Sequence, residues 1–189
     1  MSTQTVSIPG YVVGTWQIDP VHSQVGFAAR HMMVSKVRGH FATFSGTIVT
    51  AEDPAQSTVS ASVDLDSITT GAQQRDDHLR SADFFEVATY PEMTFRSEHL
   101  RPSDDGFVLE GELTLKGVTK PLSLAAEING FGPDAFGGTR CGFTATGEIN
   151  RRDFNVNFGG VQNGVVVVGD KITITLEVEA VLDTADAPA

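Results

Sequence analysis

Apolar and polar residues alternate along most of this chain. Between residues 23 and 31, Val25, Phe27, Ala29 and His31 share one phase; between 58 and 66, Val59, Ala61, Val63 and Leu65 oppose Ser60, Ser62 and Asp64. Phe107, Leu109, Leu113 and Leu115 oppose Glu110, Glu112 and Lys116, and Leu122, Leu124 and Ala126 follow in the same rhythm. Cys141, Phe143, Ala145 and Ile149 alternate with Arg140, Thr144, Thr146 and Glu148, and Ile172, Ile174, Leu176 and Val178 with Thr173, Thr175, Glu177 and Glu179. A period of two marks strands with one face buried and one wet. Turn residues separate the runs: Tyr90 with Pro91, Pro102 to Gly106, Lys116 with Gly117, the Gly/Pro-rich stretch 129–138 and a Gly/Val connection over 159–169. Pro20 interrupts the first run. The apolar phase slips between Phe41 and Phe44, which predicts a β-bulge.

The pattern predicts an all-β protein: an antiparallel up-and-down β-barrel of about eight strands, because closure removes the exposed edges of a flat sheet. A sandwich is the alternative that periodicity leaves open. The inward phases carry small residues, Ala29, Ala61, Gly111, Ala126, Ala145 and Gly147, among the Phe. Either the interior holds an apolar ligand or the twelve Phe fill it.

One stretch breaks the rhythm. Residues 70–85 mix both signs of charge with His78 and the pair Phe84 and Phe85. Thr70 and Gln73 have capping-box spacing, so one short helix is predicted around 71–82, with Asp76 and Arg80 as i,i+4 partners. It is a plug, a lid or an active site.

The chain has 189 residues, one domain's worth, with a formal net charge of −11. That charge argues against nucleic acid as a partner. No Asp or Glu lies between Asp19 and Glu52, while His22, Arg30, His31, Lys36, Arg38 and His40 do. This basic band either meets an anionic head group or surface, or protects a solvated strand. Cys141 is the lone cysteine, so no intrachain disulfide forms. No run reaches the length of a transmembrane helix and no secretory leader is evident, so a cytoplasmic protein is expected. Residues 1–13 read as a polar N-terminal arm and 183–189 as a disordered tail.

Catalytic spacing is absent: the chain has no metal-ligand pair of the His-x-x-x-His type, no nucleophile elbow and no P-loop, so neither an enzyme, a metal nor a cofactor is expected. The alternatives are a lipid-modifying enzyme built on the Arg75–His78 cluster and an interaction module with a filled barrel in a stress or redox pathway. Arg75, Asp76 and His78 read first as the polar fastening of the helix, Arg75 with a carbonyl or with a carboxylate such as Asp153. Arg151, Arg152 and Asp153 form a second charged knot.

The residues resemble a known family. Trp16, Ile18, Asp19, Pro20, His22, Ser23, Val25 and Phe27, then His31 and the run Val37, Arg38, Gly39 and Phe41, are similar to the opening of the YceI-like family. Ser67 to Gly71, then Arg75, Asp76, His78, Leu79, Arg80, Asp83, Phe84 and Phe85, resemble its most recognisable run. Tyr90 to Phe95, Gly111 to Pro121, Asn150 to Phe154 and Val168 to Asp170 continue it in order, so the resemblance spans residues 14–182. It implies a lipocalin-like barrel that takes up a long polyisoprenoid, such as a polyprenyl phosphate or isoprenoid quinone, or a similar amphiphile, often as a homodimer. On that reading the tail contacts Phe27, Phe41, Met93, Phe95, Leu113 and Phe143. Phe84 and Phe85 line or close the cavity. The head group sits near His31, Arg38, Arg75 or His78, with Asp76, Arg151 and Asp153 in the same polar region. Asn155 stands where the family usually has Gly, at a turn that needs left-handed backbone.

Overall fold

The computed structural model describes residues 7–186. Eight long strands wind up and down in sequence order, several of them bent: β1 (Gly14–Ile18 continuing as Gln24–His31), β2 (Ser35–Phe41 continuing as Phe44–Thr50), β3 (Thr58–Asp64 continuing as Ile68–Thr69), β4 (Glu92–Ser103), β5 (Gly106–Leu115), β6 (Val118–Pro133), β7 (Thr139–Asn150) and β8 (Val168–Leu182). Each pairs antiparallel with the next. β8 then returns to both halves of β1, with Trp16 opposite Leu182 and Phe27 opposite Ile174, and the barrel closes. The eight-stranded antiparallel barrel predicted from periodicity is what forms.

The bends have local causes. In β1, Pro20 has no N–H for the ladder. The chain folds through an Asx turn, Val21 N–H to Asp19 Oδ1 at 2.9 Å, and Ser23 Oγ closes the gap by bonding both N–H and C=O of Glu179. In β2 the break at residues 42–43 replaces the predicted bulge: β2 ends one straight segment at Phe41 and starts another at Phe44. Its facing strand β3 turns the same corner through the short 3-10 turn Leu65–Ser67, and Ser67 ties the two by accepting from Ala42 N–H and Thr43 N–H. Leu65 and Ile68 are fully buried beneath that corner. β6 runs on to Pro133, so only 134–138 of the predicted loop is irregular.

Glycine sets two close approaches inside the wall. Gly39 faces Phe27 across the β1–β2 ladder, and a Cβ there would stand 2.5 Å from the Phe27 ring. At Gly111 a Cβ would clash with the β4 backbone and with Phe95. The two Phe rings therefore lie along the wall over backbone.

The two ends differ. At one, residues 7–13 pack on the barrel rather than standing off as a polar arm: Tyr11 donates its hydroxyl to Ala51 O at 2.8 Å and meets Phe131 edge-on at 5.3 Å. Trp16 is fully buried here with Ile48, Cys141, Ala180 and Leu182. The start of the tail is tied to the same end, with Asp183 N–H to Thr15 O at 2.8 Å and Thr15 N–H to Asp186 Oδ2 at 2.8 Å. The expected disorder of 183–189 therefore does not begin at Asp183; residues 1–6 and 187–189 lie outside the described residues. The other end carries helix α1 (Gln73–Arg80), the turn at Lys116 and Gly117, and the loop that joins β7 to β8.

Candidate functional site

The barrel encloses a cavity of about 310 Å³, which runs from Ile8, Tyr11 and Phe131 at the tryptophan end to Leu79, Phe84, Phe85 and Arg151 at the helix end. The twelve Phe therefore do not fill the interior. The small residues of the inward phase, Ala29, Ala61, Ala126 and Ala145, line it. Gly111 and Gly147 do not; they admit neighbouring side chains instead. Among the described residues the lining contains no carboxylate, imidazole or thiol, and Arg151 supplies its single charged side chain. Cys141 is buried in the tryptophan-end cluster, 2 % exposed, and burial pushes its thiol pKa up to about 12, so it stays protonated.

Of the residues singled out from sequence, Phe27, Phe41, Phe84, Phe85, Met93, Phe95, Leu113, Phe143 and Arg151 line the cavity. His31, Arg38, Arg75, Asp76, His78 and Asp153 do not. Arg38, Arg75 and Asp153 are exposed, and Asp76 is buried in the helix fastening.

That fastening differs from the predicted one. Ala72 caps α1 without a side-chain bond; the capping box does not form. Instead Asp76 reaches back, and its Oδ1 accepts from Thr70 N–H at 2.8 Å and Thr70 Oγ1–H at 2.6 Å. Arg75 bonds Thr70 too, through Nε to Oγ1 at 2.7 Å and NH2 to the carbonyl at 3.0 Å, not Asp153. Arg80 pairs with Asp77 and Asp66 rather than Asp76, and donates to the carbonyls of Asp66 and Ile68. An eight-residue helix with one apolar side chain, Leu79, has little stability of its own. These bonds hold it to the end of β3 and aim Leu79 into the cavity. His78 bonds Asp83 at 2.7 Å and stands edge-on to Phe84 and Phe158, at 5.1 and 4.6 Å.

Arg151 is the other fastening. It opens the 3-10 turn Arg151–Phe154, which Asn150 caps through Oδ1 to Arg152 N–H. Its Nε donates to Gly169 O, NH1 to Val156 O and Phe158 O, and NH2 to Gly159 O and Val168 O. All five N–H groups of a guanidinium are thus taken, and Asp170 sits 3.1 Å from NH2. Burial lowers its pKa, against which Asp170 acts; an arginine stays charged through such a shift. Arg151 bounds the cavity but has no donor left for a ligand: it cross-links the loop to β8. Asn155 ends this turn at φ 58 and ψ 24, so the substitution for Gly keeps the left-handed backbone.

Sequence reasoning missed Tyr11, Phe44, Leu109, Leu124, Phe131, Ile149 and Ile174 as lining residues. Leu109, Leu124, Ile149 and Ile174 lie on the apolar phases already traced and were legible there. Tyr11 and Phe131 sit in segments that read as arm and loop, where no alternation marks an inward face.

Fold and cavity together define a class: a closed eight-stranded antiparallel barrel with a continuous apolar interior. A sequence model of the YceI-like domain matches residues 16–180. The chain belongs to the YceI-like family. Protein YceI of Escherichia coli (strain UMN026) is 42% identical over 136 residues, 71% of each chain. Among solved structures, the YceI protein of Campylobacter jejuni is 31% identical with a TM-score of 0.70, over 82% of this chain and 90% of that one. A polyisoprenoid binding domain from Saccharophagus degradans shares the fold at 17% identity, with a TM-score of 0.63 over 90% of this chain and 99% of that one. Among the described residues no helix is long and apolar enough to cross a membrane.

Proposed function

We propose that this protein binds, and so carries or stores, a long-chain polyisoprenoid or similar amphiphile inside the barrel. The observation that carries the reading is the cavity: about 310 Å³, continuous between both ends, and walled by aliphatic and aromatic side chains. Such a wall recognises by burial, at about 0.8 kcal/mol for each methylene removed from water. Its lining is overwhelmingly apolar, so length and branching against the Ala-lined wall would select more than hydrogen bonding does. The binding domain from Saccharophagus degradans supports the isoprenoid class. The reading is one of binding rather than turnover, because the lining offers no carboxylate or imidazole for proton transfer. Work in the cytoplasm and self-association into a homodimer, measurable by light scattering on the eluting protein, belong to the same reading.

Native mass spectrometry of freshly purified protein, followed by lipid extraction, tests it. Bound prenyl lipid is expected. In the variant Ala61→Leu/Ala145→Leu, which fills the cavity from facing walls, uptake should fall at least about tenfold while the fold stays intact, because the added methylenes enter existing space. An empty wild-type protein that takes up no prenyl lipid would sink the proposal.

A further inference from the structure

The basic band found in the sequence falls on one outer corner of the barrel. Phe27 and Ala29 line the cavity, so the alternate residues of β1 point outward, and Arg30 is exposed among them. It stands directly opposite Lys36 on β2, and Arg38 follows opposite Ala28. Like charges facing across a ladder are unfavourable. Yet among the described residues none of Arg30, Lys36 and Arg38 forms an ion pair, in a protein with 24 acidic residues against 13 basic ones. The hairpin joining the two strands carries an apolar tip: Met32, Met33 and Val34 are 46 %, 53 % and 84 % exposed.

The backbone of that tip is as unusual as its surface. Met32 and Met33 both have positive φ, at 48° and 60°, and Val34 N–H bonds His31 O at 3.1 Å. Two consecutive positive φ values favour Asn and Gly, and long side chains there are strained. Strain held in place by the fold points toward function. Edge protection accounts for part of the band: the first segment of β2, Ser35–Phe41, meets β3 only at His40 and Phe41, so among the described residues 35–39 have an open side, which Lys36 and Arg38 blunt. It does not account for Arg30, which lies on a strand paired on both sides, nor for two exposed methionines in strained backbone.

We infer that this corner docks on an anionic lipid bilayer, with Met32, Met33 and Val34 entering the interface and Arg30, Lys36 and Arg38 lying against the head groups. Lipid is the occupant that satisfies both halves of the surface: an apolar tip for the acyl boundary and an unpaired cationic collar around it. The acidic remainder of the chain is repelled by such a surface, which selects one orientation. His31 pairs with Val168, a cavity-lining residue, so docking brings the helix end of the cavity toward the membrane. The inference goes beyond the cavity reading and holds whether or not the barrel carries lipid.

Co-sedimentation of the full chain with vesicles tests it, comparing phosphatidylcholine alone with phosphatidylcholine containing phosphatidylglycerol, at low and high salt. Partition to the anionic vesicles is expected, weakened by salt. Arg30→Ser/Lys36→Ser/Arg38→Ser should lose about 100-fold, from about fivefold per cation. Met32→Asn/Met33→Gly should lose about tenfold while its Tm holds or rises, since the new residues suit the turn. That pairing of a sounder fold with weaker binding separates the surface role from a folding defect. Equal partition to both vesicle types, no partition, or variants that bind like wild type would overturn the inference. So would retention on immobilised polyglutamate without vesicle binding, which points to an acidic protein partner instead.

Discussion

The two ends of this barrel are closed by different means. At the tryptophan end the closure is apolar and aromatic: Trp16 is fully buried, with Phe131 5.5 Å away edge-on, and the indole N–H donates to Thr50 Oγ1 at 2.9 Å. At the helix end apolar side chains such as Phe84, Phe154 and Val156 are buried too, but polar tethers hold the closing pieces in place. Asp76, Arg75 and Arg80 tether α1 to the end of β3, and Arg151 gathers five carbonyls of the neighbouring loop and β8. Apolar closures lose stability when opened because their surface meets water. Arg75 is exposed and Arg80 half-buried, and their bonds exchange partners with water at a net loss of only about 1 kcal/mol each. On the binding reading proposed above, the tryptophan end serves as the fixed floor and the helix end as the one that admits a ligand.

That comparison can be broken in order of size. Trp16→Ala should lower stability by about 3–5 kcal/mol, measured by denaturant unfolding, because it empties the floor. Arg151→Met should cost a similar amount, about 3–5 kcal/mol, by leaving buried carbonyls without a partner. The two should differ in hydrogen exchange: Trp16→Ala speeds amides throughout, whereas Arg151→Met speeds those of 155–168 first. Asp76→Ala should cost about 1–3 kcal/mol, since Thr70 keeps two donors with no acceptor. Arg75→Ala, on the exposed side of the same tether, should cost less than about 1 kcal/mol. An Arg75→Ala loss equal to that of Asp76→Ala would show that the helix end is as rigid as the floor.

Acid should act on the tryptophan end. Arg140 donates to Asp19 at 2.8 Å, to Glu179 at 2.6 Å and to Asp134 at 3.1 Å, binding three segments together. The bond from Arg140, with help from His22, holds the Asp19 carboxyl well below its ordinary range. The N–H groups of Gly138 and Phe136 lower Asp134. A carboxyl depressed by folding adds stability above its unfolded pKa, near 4, and loses it as pH falls toward the folded value. Thermal melts should therefore drop below about pH 4, and Asp19→Asn should flatten that limb while lowering stability at neutral pH.

The barrel was legible because period two is a property of every strand in it: Val59, Ala61 and Val63 say which way they face before any partner is known. The cavity was half legible. Alternation names the inward residues but not how deeply they reach, so Gly111 and Ala61 read alike, although one admits a neighbouring ring and the other leaves space. The polar site was the least legible. Arg75, Asp76 and His78 share a helix with many bonding options of similar strength, and the choice of Thr70 over Asp153 depends on distances that no spacing rule carries. Arg151 was noticed for its charge; that it is saturated by carbonyls follows only from the path of the loop around it.

The pairing of Trp16 with Leu182 has a consequence for how the molecule is made. The first strand and the last share a ladder, so the chain is a ring in all but covalent bonds. No amount of synthesis short of the final strand removes the two open edges of the sheet. Closure waits for the last residues of β8 to be released, and joining positions nearly the whole chain apart is slow. Until then the apolar lining faces water.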